Sequence, residues 1–173
     1  MPNRWKPNVT VSAVIERDQR FLLIEENTSD GLRLNTPAGH LDPAETPLQA
    51  CVREVLEETA YSFTPSALVG IYMNRFLRTR TGTDITYMRF AFTGELGMHH
   101  AHRVLDDGIV RTLWLTLDEL KATAHLHRSP IVLQSIQDYL AGQRFDTSII
   151  QADPSLYEVS APTVSTHDLL ARL

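Results

Sequence analysis

Residues 46–59 constrain this chain more than any other stretch. Thr46-Pro47-Leu48-Gln49 predicts a helix start. Thr46 suits the N-cap, Pro47 suits the first helical position, and Gln49 completes a capping box. No further Pro or Gly interrupts the run to about residue 59. At helical spacing, Leu48, Cys51, Val52, Val55, Leu56 and Thr59 share one face, and Glu54, Glu57 and Glu58 fall roughly opposite. Like charges one turn apart repel by a few tenths of a kcal/mol, so a helix gains nothing from that clustering. A hard divalent cation does gain from it. Mg²⁺ prefers oxygen ligands and is often held by a few carboxylates together with substrate phosphates. The competing reading is a solvated acidic face, with Arg53 neutralising Glu57 one turn on.

The preceding residues bear on that choice. Gly39, five residues, Glu45, seven residues, Arg53-Glu54, an apolar Val55, one residue, then Glu57-Glu58: this fixed spacing resembles the Nudix box. The sequence departs from that signature at Ala60, where the family has Gly, and at Tyr61, where it has an aliphatic residue. A helix often ends on a residue at positive φ, where a Cβ costs roughly 1 kcal/mol or more. Ala60 is therefore either mildly strained, or the helix ends by another route. Neither outcome touches a carboxylate.

The chain has 173 residues, enough for one well-buried domain and too few for two comfortable ones. We expect a Nudix domain over residues 1–142, with residues 143–173 as an extension packed on it or trailing from it. A net charge of −5 argues against a broad basic surface for a nucleic-acid polymer. One cysteine allows no intrachain disulfide, and Cys51 on the apolar helix face reads as packing rather than as a nucleophile. The N-terminus carries no signal-peptide core, and no apolar run approaches membrane-spanning length. A cytoplasmic protein is the expectation.

Along the chain, residues 8–16 alternate as a strand, with Val9, Val11 and Ala13 on one face. Residues 17–20 read as a tight turn and 21–26 as an apolar strand, so the two strands should form a hairpin. Residues 61–67 read as a connection broken by Pro65. Residues 68–78 and 85–94 read as a long hairpin whose turn holds Gly82. Arg75, Arg78, Arg80 and Arg89 cluster there. Solvated charge is the ordinary reading, and Arg89, near Tyr87 and Phe90, is the candidate for gripping phosphate. Residues 95–108 read as a loop. Its His99, His100 and His102 lack the separated spacing of a zinc site. Residues 109–115 read as a strand. Thr116 opens a short capped helix, and Ser129-Pro130 opens another to about Ala141, packing through Ile131, Val132, Ser135, Ile136 and Tyr139.

The resemblance implies an α/β fold, the Nudix α/β/α sandwich with a mixed β-sheet, over roughly residues 8–142. It implies hydrolysis of a nucleoside diphosphate linked to some group, with Mg²⁺ as cofactor and Mn²⁺ as a possible substitute. Glu54, Glu57 and Glu58 would bind metal, with the Gly39 carbonyl as a further ligand. Glu54 is the first candidate for general base and Glu57 a second catalytic carboxylate. Arg53 would hold the carboxylates, and Glu45 would orient the helix. His40 is a weaker candidate base. The family commonly adds a carboxylate from a late loop, here Asp106 or Asp107, with Asp107 and Arg89 as candidate substrate contacts. Metal would invert the repulsion between these carboxylates and a pyrophosphate.

The segments 6–11, 37–41, 128–132 and 141–145 resemble a bacterial phosphatase branch of the family. That branch implies a nucleoside tri- and diphosphatase releasing orthophosphate, and action on the pyrophosphate of the thiamine pyrimidine precursor. The alternatives are a nucleotide-sugar or oxidised-nucleotide pyrophosphohydrolase, and a non-catalytic Nudix-fold binding module. The partner expected is a small phosphate anhydride, not a membrane.

Overall fold

The computed structural model describes residues 4–78 and 82–158, Arg78 through its backbone only. Expectations for Arg80, for the Arg78 side chain and for the extension beyond residue 158 lie outside the described residues. The elements in chain order are β1 (Asn8–Ala13), β2 (Glu16–Arg17), β3 (Arg20–Thr28), β4 (Gly31–Asn35), β5 (Ala38–His40), α1 (Pro47–Thr59), β6 (Tyr61–Arg78), β7 (Thr83–His99), β8 (Ile109–Thr116), α2 (Leu117–Ala122) and α3 (Ile131–Leu140).

The strands form two four-stranded sheets. One is mixed and runs β5-β1-β7-β6, with β1 parallel to β7 and the other pairs antiparallel. In the other, β3 pairs antiparallel with β2, β4 and β8. The strand side chains alternate between two cores, as the pleat requires. Val11, Ala13, Leu22, Leu68 and Phe92 pack with Ala50, Cys51 and Val55 of α1. Val14, Leu23, Val69 and Ala91 pack with Leu120 of α2 and with Val132 and Ile136 of α3. This is an α/β/α sandwich. Residues 10–15 and 21–24 are buried continuously because both faces are covered.

That double burial corrects the first hairpin. β1 and β3 lie in different sheets, and only the two-residue β2 pairs with the start of β3. The tight turn is present, with Asp18 and Gln19 both at positive φ. A second correction concerns residues 61–67, which are strand rather than connection. β6 runs through Pro65, with register shifts on either side, and Pro65 lies opposite Gly94. A Cβ at Gly94 would overlap the Thr64 carbonyl and crowd Pro65, so the glycine makes room for the bulged strand. The third correction is that β7 continues through His99 where a loop was expected.

The helix readings hold. Thr46 and Gln49 exchange both bonds of a capping box over Pro47. Ala60 sits in the left-handed region at φ 58°, so the strained ending is the one adopted. Thr116 and Glu119 cap α2, and Gly142 at φ 83° follows α3. Past α3, Phe145 exchanges backbone bonds of 2.9 and 2.8 Å with Leu68, and the Tyr157 hydroxyl lies 3.3 Å from Gln49 Oε1.

Candidate active site

The face that α1 buries is rotated from the one the apolar spacing suggests: it keeps Cys51, Val55 and Thr59 but takes in Glu54 and Glu58. Ala50, Cys51, Glu54, Val55, Glu58 and Thr59 are buried, whereas Val52 is exposed. Glu54 and Glu58 thus lie inward, each 8% exposed, against β5. Gly39 makes this possible, since a Cβ there would occupy the space of the Glu54 carboxylate. The next strand residue back holds the second carboxylate: the Ala38 N–H donates to Glu58 Oε2 at 2.7 Å.

Arg53 ties the remaining acids together. It donates to both oxygens of Glu45 at 3.0 and 2.7 Å, to Glu54 at 2.7 Å and to Glu57 at 3.0 Å. It also donates to the His40 carbonyl at 2.9 Å, which joins α1 to β5. Glu45 accepts from the Asp42 N–H as well, so it organises the loop that enters the helix. The hydrogen bond from Arg53 holds the Glu45 carboxyl below its ordinary range. Glu54 is raised by burial, with Arg53 opposing. Burial pushes Glu58 up to about 9; the Ala38 N–H opposes this, and the charges of Glu54, Glu26 and Asp106 reinforce it.

Gly39, Arg53, Glu54, Glu57 and Glu58 are therefore brought together. Asp106, whose N–H donates to the Glu57 carbonyl at 3.1 Å, is the loop acid whose charge reaches Glu54 and Glu58. Asp107, exposed like Asp106, is not among the charges named as acting on either. His40 is exposed, its ring 6.1 Å from that of Tyr87. The His99 ring lies 4.5 Å from that of Tyr61, and His100 bonds the Ser62 hydroxyl and, through its N–H, the Ala60 carbonyl. Arg75 pairs with Asp84 in the open.

Arg89 alone of the described hairpin arginines lines a cavity, one of about 190 Å³ whose lining also includes Ala38, Gly39 and His40. Its guanidinium donates to Asn35 Oδ1 at 3.2 Å, and Asn35 in turn donates to Glu26 at 3.2 Å. Burial lowers Arg89 to about 10, and the charges of Glu26 and Glu58 oppose that shift. Sequence reading missed Glu26, Asn35 and Arg128 here. A carboxylate pair closing an apolar strand, Glu25-Glu26, was the one available signal.

Among the described residues, no group of three or more His, Cys, Asp or Glu side chains stands arranged as ligands around one point. Glu54 and Glu57 are turned onto Arg53 instead. The donor set nonetheless fits a hard divalent cation: it consists of oxygens only, and burial penalises the charge on Glu54 and Glu58. Acids crowded beside a guanidinium-lined cavity suit the charge of a phosphoric anhydride once a cation intervenes, and the fold and site define a hydrolase of that class.

The family model described as the NUDIX domain matches residues 6–134, and the chain belongs to the Nudix family. It is 35% identical to the phosphatase NudJ of Escherichia coli strain K12 over 147 residues, covering 84% of this chain and 92% of that protein. A solved NUDIX hydrolase from Nitrosomonas europaea is 49% identical, with a TM-score of 0.78, over 86% of this chain and 98% of that one. The NUDIX domain of Shewanella oneidensis NrtR, solved with ADP ribose, shares the fold at 18% identity and a TM-score of 0.61, over 80% and 90% of the chains. As a Nudix hydrolase, the protein acts on phosphoric anhydride bonds. Among the described residues, no helix is long and apolar enough to cross a membrane.

Proposed function

We propose that the protein is a Mg²⁺-dependent phosphohydrolase of nucleoside tri- and diphosphates that releases orthophosphate. Its range extends to the pyrophosphate of the thiamine pyrimidine precursor. The observation that carries this reading is the burial of Glu54 and Glu58 against Gly39, with a cavity holding Arg89 opening beside them. The likeness to NudJ, a phosphatase by name, supports the product class.

Glu54, Glu57 and Glu58 would hold Mg²⁺, with Mn²⁺ as a substitute, and the Gly39 carbonyl lies on the strand that faces them. The ion supplies neutralisation of the phosphates and acidification of water. Arg53 fixes the rotamers of Glu54 and Glu57 and locks α1 to β5 through the His40 carbonyl. Glu54, raised by burial, would take the proton from the attacking water. Arg89 balances charge on the cavity side. The single buried Cys51 suits a reducing, cytoplasmic setting.

The test is of products. The protein is incubated with a nucleoside triphosphate, a nucleoside diphosphate, ADP-ribose and the thiamine pyrimidine pyrophosphate, with and without Mg²⁺. Mg²⁺-dependent orthophosphate from the tri- and diphosphates is expected. Pyrophosphate, or monophosphate from ADP-ribose alone, overturns the phosphatase assignment and points to a pyrophosphohydrolase.

A further inference from the structure

α1 is apolar on two sides, and among the described residues only one side is covered. Ala50, Cys51 and Val55 enter the core. Leu48, Val52 and Leu56 stand one turn apart on the outer side, where they line an open groove of about 400 Å³ with Gln49, Glu57 and Arg103. Val52 is 36% exposed, and Leu48 and Leu56 are half-buried. A helix that is apolar on both sides is normally buried on both. The exposed Arg103 guanidinium forms no ion pair among the described residues. The last described residues lead to this groove. Ile150 packs on the α1 core, Asp153, Ser155 and Leu156 lie across a gap from Glu45, Thr46 and Pro47, and the Tyr157 hydroxyl donates to Gln49 Oε1 at 3.3 Å. Gln49 is itself part of the groove, so residues 159–173 follow directly from its edge.

We propose that this groove is the docking site of the chain's own residues 159–173, with Leu169, Leu170 and Leu173 set against Leu48, Val52 and Leu56. The sequence of that segment suits the task. Ser165 and Asp168 have the spacing of a capping box, and Val164 and Leu169 have that of a hydrophobic staple. Leu169, Leu170 and Leu173 then share one face at helical spacing. Lengths agree as well: the groove runs roughly 14 Å along α1 from Leu48 to Glu57, and residues 166–173 as a helix would span roughly 12 Å. Asp168 offers the charge complementary to Arg103. The tether holds the segment at an effective concentration on the order of millimolar, which a second molecule does not reach in dilute solution. Arg53 and Glu57 line the same groove, so the docked segment would shield their 3.0 Å ion pair from water on that side.

The test is amide hydrogen exchange of the full chain, with a synthetic peptide of residues 159–173 as the free reference and sedimentation run at the same protein concentrations. Amides of residues 166–173 should exchange at least about tenfold slower in the chain than in the peptide, and the chain should sediment as a monomer. Val52→Asp, which puts a charge on the groove floor at an exposed position, should return them to the free rate. Arg103→Glu, which lies outside the helix and so keeps the test open if Val52→Asp disturbs α1, should quicken them about two- to fivefold. Exchange at the free-peptide rate in the unaltered chain would overturn the inference. So would protection that survives both substitutions, which would place the segment elsewhere. Protection that appears only at concentrations where the chain sediments as a dimer would assign the groove to a second copy instead.

Discussion

The two long helices make opposite compromises. α3 buries Ile131, Val132, Ser135 and Ile136, and it starts at Pro130 with no side-chain cap. α1 buries two glutamates among its apolar residues, and its N-terminus carries a complete capping box with Pro47 at the first turn. α3 is held by what it packs against and has little need of local encouragement. α1 carries buried charge that opposes packing, and strong local signals offset part of that cost. The contrast shows where this fold keeps its stability and where it keeps its chemistry.

The contrast can be broken from the α3 side first. Ile136 is fully buried in the α2–α3 core, and Ile136→Ala should cost about 2–5 kcal/mol in denaturant unfolding while kcat per folded molecule stays unchanged. From the α1 side, Glu57→Gln should reverse the pattern: Mg²⁺-dependent turnover falls at least about tenfold, with the melting temperature held or raised. A turnover loss below that bound would count heavily against the metal assignment.

A pH series sharpens the comparison further. Glu58 is raised from its ordinary 4.5 to about 9 in the folded chain. The unfolded chain therefore gives up this proton first, and the contribution of Glu58 to stability without metal is full below about 4.5 and declines as pH rises towards 9. Thermal melts in EDTA should show that decline, and Glu58→Gln should flatten it. Mg²⁺ requires the ionised carboxylate, so its binding should release a proton and tighten with pH. The smallest effect is at the end of α1. Ala60 sits at φ 58°, and Ala60→Gly should stabilise the chain by about 0.5–1 kcal/mol without changing turnover.

Local chemistry made α1 legible before any coordinates. Caps, proline placement and carboxylate spacing act within a few residues, and each appears where the sequence puts it. The long hairpin of residues 68–78 and 85–94 was legible too, as β6 paired with β7, but the partner of the first strand was not. Residues 8–16 read as one half of a hairpin with residues 21–26, but residues 10–15 are buried on both faces, and alternation alone does not say which strand a segment pairs with. Pro65 read as a break because its compensation, Gly94, lies across the sheet on another strand. The site divides along the same line. Gly39, Arg53, Glu54, Glu57 and Glu58 share one contiguous segment. Glu26 and Asn35 come from the consecutive strands β3 and β4, but Arg89 comes from the other sheet and Arg128 from the segment before α3, and no local pattern announces that meeting. The inward turn of Glu54 and Glu58 was hidden too, because it depends on the space left by Gly39.

The parallel pairing of β1 with β7 joins residues 8–13 to residues 87–92, and β8 at residues 109–116 closes on β3. Such contacts demand closure of long loops before any of them is rewarded, so folding should be slow for the chain's size. The cavity, which needs Thr10 from the first strand and Ser129 from just before α3, is among the late features to form. During synthesis at roughly 5–20 residues per second, α1 emerges several seconds before Arg128, so the acids are made well ahead of the pocket that would give them a substrate.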